Sequence, residues 1–132
     1  MSLCPCGSGT EFNKCCEPFL KEEELPPTPE ALMRSRYTAY CLKNHDYLVE
    51  TTDPQIRSEV NHTANREWAE AVEFTGLEIL ASSAEKNKGM VEFRAKFKDA
   101  EGQDQEHHEL SKFRKQAGVW YFRDGQVKDA KK

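Results

Sequence analysis

No stretch of this chain approaches the roughly 18 consecutive apolar residues of a membrane-spanning helix, which excludes an integral helical membrane protein. Its start, Met1-Ser2-Leu3-Cys4, has no basic segment followed by an apolar run. A secretory signal is therefore not expected, and a cytoplasmic location is. Positive charge is in deficit. Lys and Arg number 19 against 23 Asp and Glu, for a formal net charge of -4, so neither a nucleic acid nor a membrane surface is an expected partner. A Gly-rich phosphate loop, a nucleophile elbow and a His-Glu-x-x-His pattern are all missing, which turns the reading away from an enzyme. There is no internal repeat. Apolar material is modest but sufficient for one domain: 132 residues, 37% hydrophobic, with 7 Phe, 4 Tyr and 2 Trp, exclude disorder of the whole chain.

Cysteine, by contrast, is abundant and clustered. Four of the five cysteines, Cys4, Cys6, Cys15 and Cys16, lie in the first sixteen residues, and the fifth is Cys41. In a reducing compartment clustered thiols hold metal rather than form disulfides. A tetrahedral thiolate site places its sulfurs about 3.8 Å apart, from metal–sulfur bonds of about 2.3 Å. Two close pairs joined by a turning loop reach that geometry. Pro5 stiffens the first pair, Gly7-Ser8-Gly9 turns the chain and aims N–H groups at sulfur, and Phe12 offers an apolar anchor. Zinc is the expected metal and ferrous iron the alternative. Four protein ligands leave no open position, so the site reads as structural. Binding would stabilise so short a segment by about 10–16 kcal/mol apparent. Cys41, in a helical pattern, reads as a core cysteine.

Composition divides the chain further. Residues 1–20 form the knuckle, 21–28 an acidic and Pro-rich linker, 29–127 the main domain and 128–132 a polar tail. Thr28 is a plausible N-cap for a helix over 29–43 that opens at Pro29 and ends at Asn44. A short helix follows through Tyr47, Leu48 and Val49. Asp53-Pro54 signals another start, with Ile56 and Val60 on one face, and Asn65 a further turn carrying Trp68. The second half alternates instead. Val91, Phe93, Ala95 and Phe97 interleave with Glu92, Arg94, Lys96 and Lys98 in a half-buried strand. Leu77 and Ile79 mark the strand before it; strands over 105–115 and 119–123 follow, separated by turns. Helices followed by consecutive strands define an α+β fold, with helices packed on an antiparallel sheet.

The strand over 105–115 carries the most chemistry. His107, Glu109, Ser111 and Phe113 share one face and His108, Leu110, Lys112 and Arg114 the other. Phe113 and Leu110 pull the register in opposite directions, which leaves open the face that points inward. With Phe113 inside, Glu109 and Ser111 are buried polar groups that need partners, and Arg34 or Arg36 could supply a charge. Glu109 then either neutralises an arginine or anchors a ligand. The candidate pocket comprises Arg36, Tyr40, Glu109, Ser111 and Tyr121. His107 and His108 point to opposite faces and make a poor chelating pair. His45 and His62 read as surface or cap residues. Arg94, Lys96, Lys98, Lys112 and Arg114 read as a solvated outer face.

The segment Cys4-Pro5-Cys6-Gly7-Ser8-Gly9, continued by Lys14-Cys15-Cys16, resembles the SEC-C motif, the small metal-binding knuckle also found at the end of the translocase motor SecA. Leu32-Met33-Arg34-Ser35-Arg36-Tyr37-Thr38-Ala39-Tyr40 is similar to the signature helix of the YchJ family of bacterial proteins. So are His108-Glu109-Leu110-Ser111-Lys112-Phe113 and Gly118-Val119-Trp120-Tyr121-Phe122-Arg123-Asp124-Gly125. Thr52-Asp53-Pro54 stands where relatives often have His-Pro. The resemblance implies a nuclear transport factor 2-like (NTF2-like) domain, a curved antiparallel sheet wrapped by helices around a conical pocket. It also implies contact with a protein partner through the knuckle, with the ribosome or a chaperone as analogies, and leaves room for a homodimer. The expected function is a non-enzymatic protein-binding or adaptor module with a structural zinc knuckle. The alternative is a small-molecule-binding domain or enzyme that uses the polar pocket.

Overall fold

A computed structural model describes residues 3–127; the polar tail at 128–132 lies outside the described residues. Four helices and a four-stranded sheet follow one another in the chain: α1 (Glu17–Leu20), α2 (Pro29–Leu42), α3 (His45–Glu50), α4 (His62–Ala71), β1 (Glu73–Glu85), β2 (Lys88–Lys98), β3 (Asp104–Gln116) and β4 (Val119–Val127). The strands form an antiparallel meander in the order β1-β2-β3-β4. Register shifts after Phe74, Ile79 and Lys112 bend the sheet into its curve.

The helix boundaries follow from capping. The Thr28 hydroxyl accepts the Ala31 N–H at 3.0 Å, and Pro29, at the first turn, has no N–H to leave unpaired. Lys43, left-handed at φ 61°, ends α2. Asn44 was expected to end α2; its side chain instead caps α3 by accepting the Tyr47 N–H at 3.2 Å. Asn61 caps α4 in the same way through the Ala64 N–H at 2.9 Å, so α4 starts before Asn65. The helix expected after Asp53-Pro54 is a single 3₁₀ turn, Arg57–Glu59.

The reason lies in Asp53 itself. Thr52 pairs in parallel with Phe122, so this loop lies along the edge of β4 as a fragment of a fifth strand. Asp53 is fully buried there. Its carboxylate accepts two bonds from Arg114 at 2.6 and 2.8 Å and one from Arg123 at 3.2 Å. The Asp53 carboxyl is held well below the usual carboxylate range, first by the hydrogen bond from Arg114. A residue that reads as a helix start is thus taken by a tertiary ion pair.

Register also settles which face of β3 points inward. Val91, Phe93 and Ala95 are buried and lie opposite Ser111, Glu109 and His107. Phe113 is buried and packs edge-on against Phe122 at 6.0 Å. Leu32, Met33 and Tyr37 of α2 close this core from above. Gly89 lets β2 approach the start of α2, because a Cβ there would collide with Pro29. On the opposite face Arg94 pairs with Glu78 and Glu106, and Lys98 with Asp104.

Candidate functional site

The knuckle is built into the main core. Cys4, Cys6 and Cys16 are buried in one cluster with Leu32, Met33, Tyr37 and Phe93; Phe12, Cys15 and the half-buried Cys41 pack against it. The loop is closed by Cys4 N–H on the Thr10 carbonyl at 2.8 Å and Gly7 N–H on the Cys4 carbonyl at 3.2 Å. Gly7 takes φ 81°, a conformation few other residues adopt, and lies against the Leu77 carbonyl of β1. Arg34 of α2 donates to the Cys6 carbonyl at 2.8 Å, and its Nε pairs with Glu30 at 3.0 Å.

The four sulfurs lie within 4.8 Å of one another. Cys6 Sγ stands 3.6 Å from Cys15 Sγ, and Cys15 Sγ 3.9 Å from Cys16 Sγ. Those separations match the edge of a tetrahedral thiolate site, about 3.8 Å. As free thiols the group is electrostatically lopsided. The hydrogen bond from Cys16 draws Cys6 down to about 4, and the same contact pushes Cys16 up. Burial pushes Cys15 up. A cation at the centre would favour thiolates at all four. Ser8 Oγ lies 3.2 Å from Cys15 Sγ and Thr38 Oγ1 3.7 Å from Cys4 Sγ, so hydroxyls flank the sulfurs. Donor type, spacing and surroundings all fit a metal ion.

Beside the knuckle, along an adjoining face of α2, lies a cavity of about 590 Å³. Arg36, Tyr40, Glu109 and Ser111 line it. Tyr121 does not. It lies opposite Arg114 in the β3–β4 ladder and points with it to the outer face, because Trp120 and Phe122 take the inward positions of β4.

The partners of Glu109 also differ from expectation. Arg34 is committed to the knuckle. Arg36, 7% exposed, donates from Nη1 to the Leu48 carbonyl at 3.1 Å and to Thr51 Oγ1 at 2.7 Å, and its guanidinium lies 4.5 Å over the Phe122 ring. Glu109 is bonded along its own strand instead. His107 Nε2 meets Oε1 at 2.6 Å and Ser111 Oγ donates to Oε2 at 2.6 Å. Burial works to raise the Glu109 carboxyl, but the bonds from His107 and Ser111, aided by the charge on Arg36, leave it below its usual range. Glu109 is therefore a charged acceptor, and Nε2 of His107 carries the proton between them. Gly125 makes room for this carboxylate, since a Cβ at that position would occupy its space.

His107 is thus a member of the site, whereas His108, on the opposite face, bonds Glu92 at 2.7 Å. His62 donates to the Arg57 carbonyl at 2.8 Å and lines the cavity rather than capping a helix. His45 meets Glu70 at 3.1 Å. Sequence reasoning also missed the aromatic wall formed by Tyr40, Trp68, Phe74 and Phe97. Its signal was present in the apolar faces of α4 and β2, but nothing in the sequence brings those faces together.

Fold and site together define an NTF2-like domain with a cysteine knuckle closed onto it. Residues 28–125 match the family described as YchJ, middle NTF2-like domain, and residues 2–18 match the SEC-C motif. The chain belongs to the YchJ family, whose curated members carry the name UPF0225. A UPF0225 protein of Geobacter sulfurreducens is 45% identical over 127 residues, covering 94% of this chain and 78% of the relative. Among solved structures, a SEC-C motif containing protein of Rhodopseudomonas palustris superposes with a TM-score of 0.89 at 49% identity, covering 96% and 98% of the two chains. One from Psychrobacter arcticus gives 0.80 at 32%, covering 98% and 84%.

Proposed function

We propose that this protein binds a small molecule in the NTF2-like cavity and that its knuckle is a structural zinc site. The observation that carries the reading is the Ser111–Glu109–His107 chain of hydrogen bonds on the cavity wall. It keeps a charged carboxylate inside a space whose volume falls within the roughly 300–1,000 Å³ of ordinary ligand sites. The buried sulfurs give the knuckle its structural role. Zinc is the metal proposed because it favours a closed tetrahedral thiolate site, with ferrous iron as the alternative. Reduced thiols of this kind fit the cytoplasm.

The test is a titration with naphthalene, an apolar probe, read by the fluorescence of Trp68 on the cavity wall. Saturable binding of one equivalent, lost when Ala95→Phe fills the cavity of a still-folded protein, is expected. No binding by the wild type of naphthalene or of its polar derivatives would overturn the reading. Metal analysis of the purified protein decides between zinc and iron.

A second reading keeps the knuckle as a docking surface for a protein, with the ribosome or a chaperone as analogies. Leu3, 64% exposed, and the exposed loop over residues 7–10 support it. A named partner that binds the wild type and not a folded Leu3→Asp variant would establish it. Equal binding to both would remove it.

A further inference from the structure

The two halves of the cavity wall restrict its occupant in different ways. One half is a set of flat rings. Trp68 meets Phe74 edge-on at 5.7 Å and Phe97 at 5.5 Å, and Tyr40 lies against Phe74 at 5.5 Å. Such a wall favours a planar apolar partner through stacked and edge-on contacts.

The other half is polar, and its charges can be counted. Apart from the two histidines of the lining, His62 and His107, Arg36 contributes one buried cation and Glu109 one carboxylate, so their formal sum is zero. Two of the five N–H groups of Arg36, both on Nη1, are directed to Leu48 and Thr51, and its charge already faces that of Glu109. A charged ligand would add an unbalanced charge to a largely apolar space, which is costly. Glu109 has the opposite capacity. Each carboxylate oxygen has two lone pairs, and His107 and Ser111 occupy one on each. The remaining positions accept hydrogen bonds and cannot donate.

We propose that the cavity takes a neutral, flat, predominantly apolar molecule with a hydroxyl group at one end, and that this hydroxyl donates to Glu109. His107 and Ser111 are positioning residues that hold the carboxylate in place. The proposal rests on the cavity reading above and specifies its ligand class.

Four probes of similar size separate the two claims: naphthalene, naphthol, naphthoate and naphthylmethylammonium, titrated by calorimetry into the wild type and Glu109→Gln. Naphthol is expected to bind at least about tenfold more tightly than naphthalene, as a hydrogen bond to a charged group allows, with both charged probes weaker than naphthalene. Glu109→Gln is expected to raise the naphthol Kd about tenfold and leave that of naphthalene unchanged. Should Glu109→Gln fail to fold, Ser111→Ala is used, with a smaller loss confined to naphthol. Equal affinity for naphthol and naphthalene, tighter binding of either charged probe, or an equal loss for both neutral probes overturns the ligand class while the cavity stands. Failure of all four probes overturns the cavity reading itself.

Discussion

The knuckle and the cavity meet adjoining faces of one helix, and they are built in opposite ways. Toward the knuckle α2 presents Arg34 and Thr38, four residues apart and so one above the other. Toward the cavity it presents Met33, Arg36, Tyr37 and Tyr40. The knuckle takes all four sulfurs from thirteen consecutive residues, Cys4 to Cys16. The cavity takes its polar end from β3 and α2 and its aromatic wall from α2, α4, β1 and β2. A local site is specified by spacing, whereas a distributed site exists only once the fold has closed. The two also share material, since Met33 and Tyr37 pack in the cluster that includes Cys4, Cys6 and Cys16 and also line the cavity.

That shared helix makes the contrast breakable by experiment. The largest effect is expected from metal loss. A Cys15→Ser/Cys16→Ser variant, or the wild type with a strong chelator, should lose its metal and a large part of an apparent stabilisation of about 10–16 kcal/mol. Naphthalene binding should fall with it, because two cavity residues lean on the knuckle. Unchanged melting and binding after metal removal, measured by calorimetry, would make the two regions independent.

Asp53 comes next. Asp53→Asn breaks a pair whose carboxylate is fully buried but whose Arg114 partner is 26% exposed. A loss of about 2–3 kcal/mol is expected, below the range for a wholly buried pair, from urea unfolding. The pH dependence has a definite sign. The Asp53 carboxyl titrates lower in the folded than in the unfolded state, so its contribution is complete above the ordinary value of about 3.9 and is lost as pH falls below it. Glu109 acts in the same direction. The wild type should therefore lose stability on acidification more steeply than Asp53→Asn. Parallel curves would show that the pair contributes little.

Smaller effects are expected inside the cavity. Gly125→Ala puts a methyl group where the Glu109 carboxylate sits and should cost about 1–2 kcal/mol. It should also weaken naphthol binding while leaving metal content unchanged. Glu109→Gln should cost about 1–2 kcal/mol, since the side chain keeps its shape and an acceptor for Ser111 but loses the acceptor that faces His107. Its effect belongs to the ligand titration. A variant that changed stability strongly and binding not at all would identify Glu109 as a framework residue.

Much of the framework was legible in the sequence because its signals are local. Thr28-Pro29 specifies a helix start through one hydroxyl and one missing N–H, and both act as expected. The alternation from Val91 to Phe97 specifies a half-buried strand, and the observed burial alternates with it. Where reading failed, two local signals conflicted or a distant group intervened. Phe113 and Leu110 both asked to be inside. Asp53 looked like a cap until Arg114, sixty-one residues further along the chain, claimed it. Tyr121, expected in the pocket as a polar residue at a core-facing position, is turned outward by strand alternation once Phe122 packs on Phe113.

By itself the sequence determined the cysteine spacing of the knuckle, the order of helices before strands and the residues able to face a core. These depend on distances of a few residues along the chain, which covalent geometry and hydrogen-bonding period control. Only the tertiary structure decided that the sulfurs pack against α2, that Glu109 is held by His107 and Ser111 rather than by an arginine, and that a cavity remains beside it. Those outcomes depend on which distant surfaces meet and how completely they fill the space between them. Packing of the closed chain sets this, and no local spacing encodes it.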